Sequence, residues 1–427
     1  MIATILFICL LVLLLLSVPI GICLGLATML VMYCVDGAPP LVLLARSVVT
    51  GADSFPLIAV PLFILAGDLM QYGGMSRRIV AFSSSLVGHI RAGLAYVNVL
   101  ACVFFAAISG SAPATVAAIG SNLIPEMEKV GYKRSFSGAL TASAGMIGVM
   151  IPPSIPFIIY GVTAEVSIGK LFLAGVVPGI LFALVFMATA RFLLRNETSI
   201  SQSTTTFSPK KVASSFRDAI WSLMVPVIIL GGIYSGIFTP TEAGAVAVLY
   251  AAIVGIFVYR DISLADLVMV LATSAKTSGT ILILVIMATA FGRLITIAQV
   301  PSDLARALTA FSSNPFVILL LINIVLLLIG MFMETISSII IMTPILLPVV
   351  TAVGVDPIVF GVIITVNLAI GFCTPPLGVN LFVASSISKI SIEKLSKTIL
   401  PFFAGMIILL MLVTYIPAIS LALPSLW

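Results

Sequence analysis

Apolar residues along this chain form long blocks separated by short polar segments, without the alternation of a half-buried strand. A helix that crosses a bilayer needs about 20 apolar residues, and most of the blocks approach or exceed that length. The pattern therefore predicts an all-α integral membrane protein. The blocks lie at residues 3–33, 54–72, 92–108, 112–124, 136–162, 171–194, 219–238, 242–259, 279–298, 315–331, 335–350, 357–388 and 398–423.

Composition excludes the other classes of protein. Of the 427 residues, 61% are hydrophobic and 8% are charged, whereas soluble proteins have about 25% charged residues. No basic run is long enough to bind nucleic acid. Residues 1–33 lack the basic start of a signal peptide and remain apolar beyond its usual length, so we predict a first membrane helix there.

Two pairs of blocks are too short and too closely spaced for ordinary crossings. The first pair is separated only by Ser109-Gly110-Ser111, and the second turns around residues 330–334. Basic residues flank the first pair on both sides and are nearly absent around the second. Because basic loops remain in the cytoplasm, we predict two re-entrant helical hairpins, 92–124 and 315–350, that enter from opposite faces.

The remaining charges predict the topology. Basic residues place 191–217, 260–276 and 389–397 in the cytoplasm. The Ser/Thr-rich stretch 198–208 is the candidate for a mobile linker between the halves. This assignment gives nine crossings and two hairpins, with the N-terminus inside and the C-terminus outside.

Seven glycines and prolines recur at an offset of 223 residues, against about two expected by chance. An odd number of crossings separates the copies, so they face opposite ways, and inverted repeats with broken helices are typical of secondary transporters. We predict a first repeat at 1–190, a cytoplasmic linker with a connecting helix at 191–241, and a second repeat at 242–427. The matching pairs are Pro125 with Pro348, Gly131 with Gly354, Gly138 with Gly361, Gly148 with Gly371, Pro152 with Pro375, Pro153 with Pro376, and Pro178 with Pro401.

Each copy contains a long helix, 136–162 or 357–388, with a Pro-Pro pair inside it. Two prolines unwind a helix and free its carbonyls, which need partners in hydrocarbon, although one such pair alone can be a simple kink. Sodium ions require several oxygen ligands, and half-helix N-termini attract anions, so we predict two Na⁺ sites around one anion site. The predicted Na⁺ ligands are Ser109, Gly110, Ser111, Thr115, Gly145, Gly148 and Pro152 in the first copy and Gly330, Thr335, Ser338, Gly371 and Thr374 in the second.

Polar residues near these breaks are candidates for binding a substrate acid. Arg293 lies inside an apolar block, where an ionisable residue is a functional candidate by default. It either meets a substrate carboxylate, pairs with Glu334 or extends to the membrane surface. Asp68 and Glu242 are expected at interfaces or caps, and Asn98, Asn323 and Asn367 either bind substrate hydroxyls or link helices. The predicted substrate contacts are Ser111, Ser154, Arg293, Glu334, Pro376 and Asn380.

The sequence around the breaks resembles the large membrane subunit of the TRAP (tripartite ATP-independent periplasmic) transporters, of the C4-dicarboxylate type. The resemblance covers nearly the whole chain and rests on the runs Ser109–Gly120, Gly148–Pro156, Lys170–Gly179, Gly231–Gly244 and Gly371–Phe382.

This resemblance implies an elevator fold like that of the ion transporter superfamily, driven by Na⁺ without another cofactor, in a bacterial inner membrane. It also implies two partners, a separate small four-helix membrane subunit and a periplasmic binding protein that delivers an organic acid. The family's ion-site roles carry over to Ser109, Ser111, Gly148–Pro152 and Gly371–Pro375. Close relatives serve sialic acid and keto-sugar acids, so the substrate stays open.

Other functions compete with transport of this kind. An intramembrane serine protease needs a histidine beside its serine, but the only histidine, His89, lies in a basic loop. Asp68 has no second aspartate nearby for an aspartyl protease, so we expect no enzyme. A channel, a simple ion antiporter, and an ion-coupled carboxylate transporter without a binding protein stay open, although closed hairpins favour alternating access over an open pore.

Overall fold

The computed structural model describes residues 2–195, 197, 207–312, 314–375 and 378–427, and all regular elements in these ranges are helical. Most of the predicted linker, 198–206, lies outside the described residues. The helices of the first half are α1 Ile2–Leu15, α2 Ile20–Cys34, α3 Leu41–Ala52, α4 Ala59–Tyr72, α5 Met75–Val87, α6 Gly93–Ser109, α7 Ala112–Lys129, α8 Arg134–Gly145, α9 Ile155–Thr163 and α10 Ile168–Leu194.

The second half has the same organisation. Its helices are α11 Pro209–Tyr234, α12 Pro240–Ile253, α13 Leu264–Ile297, α14 Val300–Phe311, α15 Pro315–Phe332, α16 Thr335–Ala352, α17 Pro357–Gly371, α18 Val379–Ser388, α19 Ile392–Tyr415 and α20 Pro417–Leu421.

Eight helical segments in the described residues are long and apolar enough to cross a membrane. They include α15 and α16, the arms of the second hairpin, which have 18 residues each. At about 1.5 Å per residue, such an arm extends about 27 Å, slightly less than a hydrocarbon core of about 30 Å. The predicted class, an all-α membrane protein, is confirmed.

The helices repeat at the offset that the glycines and prolines predicted. Adding 223 to the bounds of α7, 112 and 129, gives 335 and 352, which are the bounds of α16. The same shift carries α6, α8, α9 and α10 onto α15, α17, α18 and α19 to within three residues at either end. Both hairpins and both broken helices therefore exist where the repeat placed them.

One proline accounts for the main difference between the copies. The shift carries α3 and α4 together onto the single helix α13, which has 34 residues. In the first copy Pro56 lies between the two helices, while Gly279 occupies the equivalent place in the second. Since glycine keeps the backbone N–H that proline lacks, the helix continues. The expected start near residue 279 is therefore wrong, because the helix begins at Leu264.

The first apolar block forms two helices, so the prediction of a single membrane helix at 1–33 is wrong. The chain leaves the helical conformation at Ser17, whose φ is +58°. Pro19 precedes α2 and cannot donate a hydrogen bond to the turn before it. Neither α1 nor α2 alone exceeds 15 residues.

The two hairpins open toward opposite ends of the molecule, and α19 connects those ends. Near its start, Lys397 lines a small cavity with Lys133, which follows the first hairpin. Near its end, the Tyr415 hydroxyl donates to the Phe316 carbonyl at 2.9 Å, at the base of the second hairpin. The intervening turns span about 27 Å, so the hairpin bases are separated by nearly a bilayer core.

The segments predicted to be cytoplasmic meet at one end of the molecule. Arg91 donates to the Arg195 carbonyl at 3.4 Å, and the Lys133 ammonium lies 2.5 Å from the Glu197 carboxylate. Arg78 pairs with Asp261 at 2.6 Å. This shared basic end is the one that the positive-inside rule assigns to the cytoplasm.

Cysteine labelling tests the inverted arrangement. In a variant without the five native cysteines, we expect Lys129→Cys to react with an impermeant maleimide only in inside-out vesicles and Ala352→Cys only in right-side-out vesicles. Both positions are exposed and end equivalent hairpin arms, α7 and α16. Labelling of both from the same side would contradict the inversion.

Candidate functional site

The tip of the first hairpin lies against the break between α8 and α9. A 3₁₀ turn follows α8, and α9 begins only at Ile155, after the Pro152–Pro153 pair. The Ile155 N–H donates to the Gly110 carbonyl at 3.4 Å. Gly110 has a φ of +59°, and a Cβ there would lie 2.7 Å from the Pro153 carbonyl oxygen. The close contact between tip and break therefore requires glycine.

Three oxygen atoms gather at this contact. The hydroxyl oxygens of Ser109 and Thr115 lie 2.9 Å apart, and Thr115 donates to the Ser111 carbonyl at 2.8 Å. Ser109 Oγ lies 3.4 Å from the same carbonyl oxygen. Ser109 and Thr115 are buried, so these oxygens lie inside the protein and currently satisfy one another.

The break closes over the oxygen cluster because its residues are glycines. A Cβ on Gly148 would lie 2.5 Å from both the Ser111 carbonyl oxygen and Thr115 Oγ1. A Cβ on Gly145 would collide with Val116, the residue after Thr115 in the same hairpin arm. The structure thus brings together the predicted first-copy residues, with Pro152 in the adjacent unwound segment.

The second copy repeats the contact between hairpin and break. A Cβ on Gly371 would lie within 2.6 Å of the Gly330 backbone, so two glycines meet where α15 and α17 end. Nearby, Ser338 donates to the Glu334 carbonyl and Thr374 to the Ile370 carbonyl, each at 2.9 Å.

Thr335 differs from the other hydroxyls at the second tip. It begins α16 and is only 2% exposed, yet its Oγ1 has no hydrogen-bond partner among the described residues. An unpaired buried hydroxyl loses its hydration without compensation. Of the hydroxyls of Thr335, Ser338 and Thr374, that of Thr335 is therefore the one left for a ligand.

Only some of the predicted substrate residues lie at the hairpin tips. Ser111 and Glu334 lie at the two tips, and Arg293 is exposed on α13 without an ion pair to Glu334 in the described structure. Ser154 is fully buried; it donates to the Val149 carbonyl at 2.6 Å and caps α9. Pro376 lies outside the described residues.

Asn380 connects the second break to the first copy. Its side-chain amide donates to the Ala142 carbonyl at 3.1 Å, while its Oδ1 is buried without a partner in the described residues. Asn380 is fully buried, and the Cys373 thiol also donates to Ala142. A substrate contact through Asn380 stays a prediction.

The other asparagines link helices, one of the two roles considered for them. Asn98 on α6 donates to Thr141 on α8 at 2.8 Å. Asn367 on α17 donates to Asn323 on α15 at 2.8 Å, and Asn323 donates in turn to Thr414 on α19 at 3.0 Å. These bonds fasten each hairpin to the broken helix of its own copy.

Asp68 and Glu242 both make structural contacts and lie outside the candidate ion sites. Glu242 completes a capping box with Thr239 at the start of α12, accepting from the Thr239 N–H at 2.8 Å. Asp68 on α4 accepts from the Ser274 hydroxyl on α13 at 2.5 Å and thus lies at an interface between helices.

The sequence did not predict an exchange of partners between the copies, in which helices of one copy pack against helices of the other. A Cβ on Gly138 of α8 would contact Leu395 and Ser388 in the second copy, whereas one on its equivalent, Gly361, would contact Tyr160 and Leu171 in the first. The second half of each broken helix therefore packs against the other copy. The paired glycines marked these positions, but their contacts depend on the three-dimensional arrangement.

Comparison with known proteins agrees with this architecture. The family model described as "Tripartite ATP-independent periplasmic transporter, DctM component" matches residues 7–419. The Alcanivorax borkumensis YdaH transporter, whose structure is described as having an unusual topology, is 15% identical. It has a TM-score of 0.66, with 95% of this chain and 97% of that chain covered. This likeness shows a shared fold.

Relatives whose names state a transported acid are more similar in sequence to this chain than the YdaH transporter is. The isethionate TRAP transporter permease protein DctMQ of Oleidesulfovibrio alaskensis is 48% identical over 95% of this chain, which spans 64% of that relative. The C4-dicarboxylate TRAP transporter large permease protein DctM of Pseudomonas aeruginosa is 44% identical, with 88% of this chain and 87% of the relative covered. The chain therefore belongs to the DctM family of tripartite ATP-independent periplasmic transporters, whose members are membrane transport components and not enzymes.

Proposed function

We propose that this chain is the large permease subunit of a Na⁺-coupled tripartite transporter in the bacterial inner membrane. It imports an organic acid that a periplasmic binding protein delivers. The observation that carries the proposal is the convergence of the Ser109, Ser111 and Thr115 oxygens on Gly148 at a helix break. The second tip repeats the contact.

The helix ends at the first contact favour a cation on one side of the contact and an anion on the other. Gly148, just after α8, lies against Ser111, between α6 and α7, and the Ile155 N–H at the start of α9 donates to the Gly110 carbonyl at the end of α6. A helix C-terminus carries a partial negative charge that favours a cation, and an N-terminus favours an anion. Sodium would replace the hydroxyl hydrogen bonds of Ser109 and Thr115 with ion–oxygen contacts, leaving the α7 and α9 ends toward the acid.

The transport that we propose is an elevator movement, in which one part of the molecule slides against another. The hairpins and broken helices form the body that carries ions and substrate, and helices such as α2 and α11–α13 form the scaffold. Asn98 and Asn323 tie each hairpin to its broken helix, so the body moves without exposing its breaks to lipid. Each net charge carried across 100 mV contributes about 2.3 kcal/mol.

The substrate class and the partners are proposed from the relatives of this chain. Two relatives of similar identity are named for different acids, isethionate and C4-dicarboxylates, so a C4-dicarboxylate or a related acid is proposed, with sialic or keto-sugar acids as alternatives. The isethionate relative is longer than this chain, which spans 64% of it. We assign that extra length to the counterpart of a separate small four-helix membrane subunit.

Uptake measurements test the proposal. Proteoliposomes that contain this chain and its small subunit, supplied with the binding protein, should accumulate the acid only under an inward Na⁺ gradient. Replacing Na⁺ with choline should abolish accumulation. Uptake indifferent to Na⁺ would refute the coupling, uptake without the binding protein would support a simple carboxylate transporter, and single-channel currents would indicate a channel.

Gly148→Ala tests the first ion site. The methyl group would collide with Ser111 and Thr115, so we expect the Na⁺ concentration for half-maximal uptake to rise at least about tenfold, a loss of about 1.4 kcal/mol. Gly231→Ala on α11 is the control, because a Cβ there would meet nothing within 4 Å. Equal Na⁺ dependence in the two variants would argue against a site at Gly148.

Thr335→Val tests the second site. Removing an unpaired buried hydroxyl should leave the melting temperature in Na⁺-free buffer unchanged or higher. Loss of an ion ligand should nevertheless raise the half-saturating Na⁺ concentration about fivefold to tenfold. Thr343→Val is the control, since Thr343 on the same helix is also buried without a partner in the described residues. A wild-type Na⁺ response of Thr335→Val would exclude this hydroxyl as a ligand.

A further inference from the structure

A cavity of about 880 Å³ opens at the basic end of the molecule, between α5, α11 and the segment that follows α12. It lies away from both hairpin tips and is lined by three arginines and two aromatic residues, Arg77, Arg78, Arg217, Trp221 and Tyr259. None of these residues takes part in the candidate ion sites.

Arg78 forms a fixed wall of the cavity. Its guanidinium lies 2.6 Å from the Asp261 carboxylate and 3.6 Å from the centre of the Tyr259 ring. The Tyr259 hydroxyl in turn donates to the Asp218 carbonyl on α11 at 2.8 Å. These contacts hold Arg78 in place and join the three elements around the cavity.

The other two arginines give the cavity an excess of positive over negative charge. Arg77 shares the same Asp261 carboxylate, at 3.3 Å, and its side chain is 66% exposed. Arg217 is exposed and makes no ion pair within the part of the chain that the structure describes. Three guanidinium groups, those of Arg77, Arg78 and Arg217, face two carboxylates, Asp261 and the lining residue Asp218, so the cavity retains donors that can bind an anion.

Trp221 indicates where the cavity lies relative to the membrane. Its side chain, on α11, is 45% exposed beside the arginines, and it precedes an apolar run. Tryptophan and tyrosine concentrate at the level of lipid headgroups. Because the basic end is assigned to the cytoplasm, the cavity faces the leaflet whose anionic lipids attract arginine.

We propose that this cavity binds the phosphate of an anionic phospholipid headgroup from the cytoplasmic leaflet. Arg77 and Arg217 donate to the phosphate oxygens, a geometry that guanidinium groups favour, and Trp221 packs along the start of the acyl chains. The bound lipid holds α5 and α11 at a constant depth in the membrane. It contacts α5, α11 and the segment after α12, and none of the lining residues belongs to a hairpin arm.

Lipid binding to the purified full chain in detergent tests this site. The probes are phosphatidylglycerol, the zwitterionic phosphatidylcholine, and soluble glycerol phosphate, and the readouts are lipid adducts in native mass spectrometry and the melting temperature. We expect phosphatidylglycerol to bind more tightly than phosphatidylcholine. Arg77→Gln/Arg217→Gln should weaken phosphatidylglycerol binding about fivefold for each arginine removed.

The matched control is Lys210→Gln/Lys211→Gln, which removes the same amount of charge from the start of α11, outside the cavity. It should retain wild-type phosphatidylglycerol binding. An equal loss in both double variants, or no loss in the arginine variant, would overturn the proposal. Protection by glycerol phosphate as strong as that by phosphatidylglycerol would assign the site to a soluble phosphate. Arg217→Gln alone changes an exposed side chain that has no ion pair in the described residues, so this variant should fold normally. It should still weaken phosphatidylglycerol binding about fivefold, and wild-type binding by this variant would contradict a contact through Arg217.

Discussion

The fold depends on one constraint, that a backbone N–H or carbonyl in hydrocarbon must have a partner. In the described residues, two hairpin tips and two breaks interrupt the helices around the candidate sites, and each would be costly in lipid. The structure packs them against each other in pairs, Gly110 against Pro153 and Gly330 against Gly371. Because the interrupted backbones meet inside protein, their polar groups are available to ligands and hidden from lipid.

Duplication of one unit accounts for most of the architecture, and single residues account for its departures. The copies agree to within three residues from the first hairpin arm to the last long helix. Pro56 divides into α3 and α4 what Gly279 leaves continuous in α13. The tips also differ, since three first-copy oxygens satisfy one another while Thr335 has no partner in the described residues. The two candidate sites are therefore related but chemically unequal.

The sequence predicted what local chemistry determines. Apolar blocks, charge and the 223-residue offset located the hairpins, the breaks and the hydroxyls at Ser109 and Thr115, because proline, glycine and serine act on their own backbone neighbourhood. The pattern did not show that 1–33 divides at Ser17, since the block stays apolar through the turn. It also gave no indication that Asn98 meets Thr141 or that Gly138 meets Leu395, because those contacts depend on how distant helices pack.

The exchange of partners between the copies constrains how the protein is made. The face of α8 around Gly138 is covered by Ser388 and Leu395, which leave the ribosome some 250 residues later. Contacts so distant in sequence form late and slowly. Through most of synthesis, then, the first half must remain in the bilayer with that face unprotected, and a truncated product that ends before α18 would be a natural target for membrane proteases.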